Sequence, residues 1–217
     1  NSRYGFFPAG SVAWVVSKER FMADQKIVSF LKVRTSWGVT GNAEIGNFSS
    51  RGLYQASNYA GYSGLIPNGI ASPDLKWETT KQTDFGIDFG FFDNRITGEF
   101  DYYIKKTSDL LLNINLPSTS GYRVVTKNVG DLENKGWEFV INTNNLTGDF
   151  QWNTSFNISV NKNKITNLNN QIVSTGVWRA MEGYPIGVFY MKKFAGVDPT
   201  NGDALFYTDA TRTTKTT

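Results

Sequence analysis

Apolar and polar positions alternate along most of this chain, and the segment FQWNTSFNISVNKNK shows the pattern most clearly. Phe150, Trp152, Thr154, Phe156, Ile158 and Val160 occupy one set of positions; Gln151, Asn153, Ser155, Asn157, Ser159 and Asn161 occupy the other. A period of two predicts a β-strand, because successive side chains point to opposite faces. A helix is excluded, since its turn of about 100° per residue would scatter these apolar positions around the whole circumference. The run also reaches the roughly 9–11 residues that a tilted strand needs to cross a bilayer, against about 5–6 for an ordinary globular strand.

The same alternation recurs. FLKVRTSWGVT sets Leu31, Val33, Thr35, Trp37 and Val39 against Lys32, Arg34, Ser36 and Gly38. TDFGIDFGFF sets Phe85, Ile87, Phe89 and Phe91 against Asp84, Gly86, Asp88 and Gly90. ITGEFDYYIK and WEFVINT follow suit, with Val140 as an exception, and SVAWVV and IGVFYMKKF predict strands with weaker alternation. Asp93-Asn94 predicts a two-residue hairpin turn with positive φ at both positions, pairing Phe91 with Ile96, Ile87 with Phe100 and Phe85 with Tyr102. Thr147-Gly148 predicts a second, placing Thr143 opposite Trp152, Phe139 opposite Phe156 and Trp137 opposite Ile158. DPTNGD, Asp198 to Asp203, predicts a longer turn.

Long connections, roughly 41–76, 107–135 and 162–185, alternate with the short ones. Short turns therefore gather at one end of the sheet and long loops at the other, as in an outer-membrane barrel with short periplasmic turns and longer extracellular loops. The segment from Ser17 to Ser29 is the misfit, long for the short-turn side, and has room for a helical turn around Phe21 and Met22. Alternation alone leaves two architectures open: a barrel with its apolar face outward, and a soluble sandwich with that face inward.

Composition sharpens this picture. Aromatic residues make up 15% of the 217 positions and charged residues only 19%, which suits β-structure with a large apolar contact area. A net charge of +3, with Lys and Arg scattered, gives no basis for a nucleic-acid partner. The chain has neither His nor Cys, which excludes His-based triads, thiolate sites and disulfides within it. No apolar run approaches the 18 residues of a membrane helix.

Few residues suggest chemistry. Glu78, Asp84, Asp88, Glu99 and Asp101 offer carboxylates for a glycosidase pair, but such groups are more often plain surface or lumenal charge. The hairpin register sets Asp88 against Glu99, a like-charge pair that needs basic neighbours. Lys32 and Arg34 lie on the matching face, so Lys32, Arg34, Asp88 and Glu99 are predicted to form a lumenal charge cluster. Tyr54, Tyr59 and Tyr62, in the first long loop, are candidate contacts for a ligand or partner. DPTNGD lacks the twelve-residue spacing and bidentate Glu of a calcium loop, and Asn145-Leu-Thr and Asn157-Ile-Ser fall where glycosylation sites carry no meaning. No catalytic, cofactor or metal site is expected.

Six phrases then follow in order: FFPAGSVAWVVSKERFM, LKVRTSWGVTGN, SPDLKWETTKQTDFGIDFGFFDNRITGEFDYY, NVGDLENKGWEFVI, FQWNTSFNISVNKNKI and GYPIGVFYMKKFAGVDPTNGDALFY. Together, from about Phe6 to Tyr207, they resemble the later barrel region of SusC/RagA-type TonB-linked outer-membrane transporters of Bacteroidetes. The resemblance implies an all-β fold of antiparallel up-and-down strands, a segment of a large plugged transmembrane barrel. Residues 1–217 would be one partial barrel domain, without plug, signal peptide or terminal strand. It implies import of oligosaccharides or peptides across the outer membrane, energised by the TonB complex, beneath a SusD-like surface lipoprotein. It also tips the apolar face toward lipid, with Trp37, Phe89, Phe100, Trp137, Phe139, Trp152 and Phe156 as the lipid-facing aromatics, and Phe150 beside Trp137 and Trp152 in an aromatic girdle. The competing readings are a soluble β-sandwich that binds or cleaves carbohydrate, in which Trp152 and Phe156 would meet a second sheet, and a purely structural surface module.

Overall fold

A computed structural model describes residues 4–45, 47–171, 173–208, 211 and 214–216. The first three residues and much of the polar end TRTTKTT lie outside the described residues. In chain order the strands are β1 (Ala9–Val15), β2 (Val28–Asn42), β3 (Leu53–Tyr59), β4 (Tyr62–Gly69), β5 (Glu78–Phe91), β6 (Ile96–Ser108), β7 (Leu111–Asn115) and β8 (Val124–Asn128). There follow β9 (Asp131–Thr147), β10 (Gln151–Asn167), β11 (Val173–Thr175), β12 (Trp178–Ala180), β13 (Val188–Phe189), β14 (Phe194–Val197), β15 (Ala204–Tyr207) and β16 (Lys215–Thr216).

Six of them build one antiparallel sheet in the order β1-β2-β5-β6-β9-β10. It is an up-and-down meander whose two long connections fold back as hairpins of their own, β3–β4 and β7–β8. These hairpins account for much of the chain that the sequence reads only as long loops. The short connections between β1 and β2, β5 and β6, and β9 and β10 all lie at the opposite end of the sheet. The first of them holds single 3₁₀ turns at Val16–Lys18 and Arg20–Met22, where a helical turn around Phe21 and Met22 is expected.

The β5–β6 turn follows its sequence closely. Asp93 and Asn94 have φ of 56° and 61°, and Phe91 pairs with Ile96, Ile87 with Phe100, and Phe85 with Tyr102. The β9–β10 hairpin does not. Its loop is Gly148-Asp149-Phe150, and Thr143 pairs with Thr154, Phe139 with Ile158 and Trp137 with Val160. Each is displaced by two residues from the register expected for a Thr147-Gly148 turn. A slip of two keeps every side chain on its face, so alternation cannot detect it. The extra residue is Asn145, bulged out of β9 between the Asn144–Asn153 and Leu146–Trp152 pairs. Its side-chain amide donates to Thr154 Oγ1 (2.7 Å) and its Oδ1 accepts from Thr143 (3.1 Å), which anchors the bulge. Phe150 therefore stands in the turn, exposed, outside the strand. IGVFYMKKF is likewise only partly strand, since β13 ends at Phe189 and β14 begins at Phe194.

No second layer covers the apolar face among the described residues. Trp152 is 56% exposed and Phe156 51% exposed, where the sandwich reading required both to be packed against a facing sheet. The buried apolar cluster lies elsewhere: Ile114, Val125 and Val129, with Leu112, Leu116 and Val173 against them, close the β7–β8 hairpin. No described helix is long and apolar enough to cross a membrane, which says nothing of strands.

Candidate functional site

Cross-strand pairing sorts side chains into rows, and the rows define two chemically different faces. One row runs Val33, Ile87, Phe100, Phe139, Ile158 across β2, β5, β6, β9 and β10. The next is Thr35, Phe85, Tyr102, Trp137, Val160. All seven aromatics singled out in the sequence (Trp37, Phe89, Phe100, Trp137, Phe139, Trp152 and Phe156) fall on this apolar face. Phe89 stacks toward Phe139 at 6.4 Å and Phe100 toward Trp137 at 6.4 Å, so the aromatics form diagonal ladders across strands. Gly98 makes one ladder possible: a Cβ there would stand 2.6 Å from the tip of the Phe89 ring.

Over the span of the aromatic rows, the opposite face is polar and carries the charge. Its row Lys32, Asp88, Glu99 places the two carboxylates directly opposite each other, with Lys32 on the far side of Asp88. Lys32 Nζ reaches Asp88 Oδ2 at 3.0 Å, and Arg34 Nε reaches Asp88 Oδ1 at 3.0 Å. Arg34 Nη2 also lies 3.8 Å from Glu99 and 2.7 Å from Asp101. One guanidinium thus bridges three carboxylates, using the fork of donors that lysine lacks.

Asp101 belongs to this cluster too, although the expected set of Lys32, Arg34, Asp88 and Glu99 leaves it out. It lies on β6, two strands from Arg34 on β2, and only Gly86 separates them in the row. With no side chain at Gly86, the guanidinium lies across β5; a Cβ there would be 2.6 Å from both Arg34 Cζ and Asp101 Oδ1. The alternation of TDFGIDFGFF already placed Gly86 on the polar face, but not what would cross it. Glu138, opposite Asp101, adds another acid to the face. The remaining carboxylates are held individually: Asp84 accepts from Ser36 (3.0 Å) and Gln82 (2.7 Å), and Glu78 accepts from the Leu111 amide (3.3 Å).

Beside this network the polar face opens into a concavity of about 620 Å³, lined by Arg34, Asp84, Asp101, Tyr103, Lys105 and Glu138 among others. It presents hydroxyls, amides and charges of both signs. Among the described residues no group of His, Cys, Asp and Glu is arranged to hold a metal ion. Tyr103 lies over Gly136, the neighbour that leaves it room.

The loop tyrosines are divided. Tyr59 and Tyr62 pair across the Ala60-Gly61 turn at the tip of β3–β4 and share a face, each more than 80% exposed. Tyr54, five residues back along β3, points to the opposite face of that hairpin. The structure does not bring the three into one patch.

A single-layer sheet, greasy on one face and charged on the other, with short turns at one end and elaborated loops at the other, is a section of barrel wall. Residues 1–216 match the family described as TonB dependent receptor-like, beta-barrel, and the chain belongs to that family. Over 179 residues it is 40% identical to the TonB-dependent receptor SusC of Bacteroides thetaiotaomicron, covering 77% of this chain and 18% of SusC. The TonB-dependent receptor P3 of Formosa agariphila is 39% identical over 213 residues, 91% of this chain and 21% of the relative. Among solved structures, the RagAB peptide importer in its open-open state superposes with a TM-score of 0.84 at 30% identity, over all of this chain and 24% of the importer chain. The chain spans about a fifth of the length of the curated relatives it matches.

Proposed function

We propose that this chain is wall and extracellular loops of a TonB-dependent importer in the outer membrane, taking in oligosaccharides or peptides. In this reading residues 1–217 are one partial barrel domain of a longer protein. The apolar face meets lipid, and the polar face, with its Lys32-Arg34-Asp88-Glu99-Asp101 network, lines a hydrated lumen. A SusD-like lipoprotein sits over the loops, and TonB acts through parts of the protein beyond this chain. Tyr54, Tyr59 and Tyr62 contact ligand or lipoprotein from the β3–β4 hairpin.

The observation that carries this reading is the uncovered aromatic face. Leaving Trp37, Phe85, Trp152 and Phe156 each more than two-fifths exposed to water would be costly, at roughly 25 cal/mol per Å² of apolar surface. Against hydrocarbon the same face costs nothing, and its backbone is already paired within the sheet. The likeness to the RagAB peptide importer supports a peptide cargo, and the likeness to the TonB-dependent receptor SusC supports the TonB-dependent class.

The test places Trp152 in the full-length protein. With Trp152 as the only tryptophan of the barrel wall, reconstitution with lipids brominated along the acyl chain should quench its emission strongly. Unquenched, blue-shifted emission that persists in water without detergent would overturn the lipid-facing orientation. The cargo is read separately: cells carrying the full-length protein should take up labelled oligosaccharides or peptides that cells lacking it do not.

A further inference from the structure

Lysine is unevenly distributed on the apolar face. Through the aromatic rows that face carries none, but at the long-loop margin five appear together. Lys81, Lys106, Glu133 and Lys164 form one cross-strand row over β5, β6, β9 and β10. In the adjoining row Thr83, Ile104, Lys135 and Lys162 are neighbours, and the row after that is Phe85, Tyr102, Trp137, Val160. Each of the five lysines is exposed.

The pairing within this belt is unfavourable by itself. Lys81 is directly opposite Lys106, and Lys135 directly opposite Lys162, two like-charge pairs on one face. Glu133 is the one acid within the belt. It lies 3.8 Å from Lys106 and 3.4 Å from Lys135, so two lysines already share it. Asp131, further out, accepts instead from Asn167 at 3.4 Å. Among the described residues Lys81, Lys162 and Lys164 have no ion pair. Five cations against one carboxylate, continuous with an aromatic band, need an anionic partner from outside the chain.

Position says what that partner is. From Ile96 to Ile104 the apolar side of β6 covers about 26 Å at about 3.3 Å per residue, or about 20 Å in height after a tilt of about 40°. The lysines therefore stand one and two rows beyond the aromatics, at headgroup depth, where long side chains extend to the interface. We infer that Lys81, Lys106, Lys135, Lys162 and Lys164 form a binding belt for phosphate-bearing lipid headgroups of the outer leaflet. The headgroup phosphates complete the charge balance that Glu133 leaves open and fix the height of this part of the wall in the membrane. The inference rests on the proposed orientation, with the apolar face toward lipid.

The test uses the full-length protein in phosphatidylcholine vesicles containing a minor fraction of spin-labelled phosphatidylglycerol, with spin-labelled phosphatidylcholine as the reference. Electron paramagnetic resonance reads the fraction of each lipid immobilised on the protein. Replacing the five lysines by Gln should lower the preference for phosphatidylglycerol about threefold or more, since each basic residue near an anionic surface contributes to the attraction. The five-fold Lys→Arg variant should keep the preference, and the milder K162Q/K164Q variant should lose part of it. Equal preference in the native, Gln and Arg proteins would overturn the belt. Trp152 quenching by brominated lipid in the same vesicles separates the two readings. Quenching with unchanged lipid preference removes the belt and leaves the wall, whereas absence of quenching removes both.

Discussion

Arg34 reaches Asp101 at 2.7 Å across an intervening strand, passing over Gly86. The contact links β2 to β6 without involving a side chain of β5, and it depends on an empty position. Glycine weakens a strand interior by roughly 0.5–1 kcal/mol relative to Ala through backbone freedom alone. Here that cost is set against a guanidinium that serves Asp88, Glu99 and Asp101 together.

This makes Gly86→Ala destabilising where strand propensity alone says the reverse. A Cβ at 2.6 Å from Arg34 Cζ must displace the guanidinium or the Asp101 carboxylate. We expect a loss of about 1–2 kcal/mol in the urea unfolding of the full-length barrel, with a coupling to Arg34→Met of about 1 kcal/mol in a double-mutant cycle. Additive effects would show that Gly86 does not make room for the bridge.

The two carboxylates of the like-charge pair should respond unequally. Asp88 holds both Lys32 and Arg34 at 3.0 Å, while Glu99 is half-exposed and 3.8 Å from Arg34. Asp88→Asn is expected to cost about 1–3 kcal/mol and Glu99→Gln less than about 0.5 kcal/mol, or to stabilise slightly by removing repulsion. Urea midpoints of the two variants, side by side, decide it.

Register in the β9–β10 hairpin can be read by cross-linking, and this chain holds no Cys of its own to compete. Thr143 and Thr154 are directly paired. A T143C/T154C variant should form an intramolecular disulfide on mild oxidation, detected by mass spectrometry of the digested protein. T143C/W152C, the pair that a two-residue turn would bring together, should not.

Neighbouring residues on β10 should differ sharply in their tolerance of charge. Phe156 lies on the apolar face and Asn157 on the polar one. Phe156→Arg is expected to destabilise the reconstituted barrel by about 2–4 kcal/mol, while Asn157→Arg changes it by less than about 1 kcal/mol. Equal penalties would contradict a lipid-facing apolar side.

The Asp198–Asp203 turn, outside the wall, gives a pH signature. The Asp198 carboxylate accepts from the Thr200 hydroxyl (2.6 Å) and amide (2.8 Å), and these bonds hold its pKa below the ordinary carboxylate value. A lowered folded pKa means that the turn's extra order is complete above the ordinary carboxylate range and is lost as pH falls through the depressed value. The ¹³C shift of the Asp198 carboxylate in selectively labelled protein should titrate below that of a denatured reference, and Thr200→Ala should bring the two closer.

The long strands of the six-stranded sheet, their faces and one hairpin are legible in the sequence, whereas the strands of the β3–β4 and β7–β8 hairpins are not. Period-two alternation needs only the geometry of extended backbone, and Asp93-Asn94 accepts the positive φ that its turn requires, so the partners of Phe91, Ile87 and Phe85 follow from local sequence. The same reasoning put Lys32, Arg34, Asp88 and Glu99 on one side. Tertiary structure alone decided what differs by an even number of residues or spans more than one strand. At β9–β10 the Gly148-Asp149-Phe150 turn shifts the register by three and the Asn145 bulge takes one back, a net shift of two that preserves every face of the wall and leaves no trace in alternation. Arg34 met Asp101 because β5 places Gly86 between them, and Tyr54 parted from Tyr59 and Tyr62 because their loop folds as a hairpin. Alternation is a local property of consecutive residues. Register, bulges and contacts across a third strand depend on how whole strands align, and that is settled only when the sheet assembles.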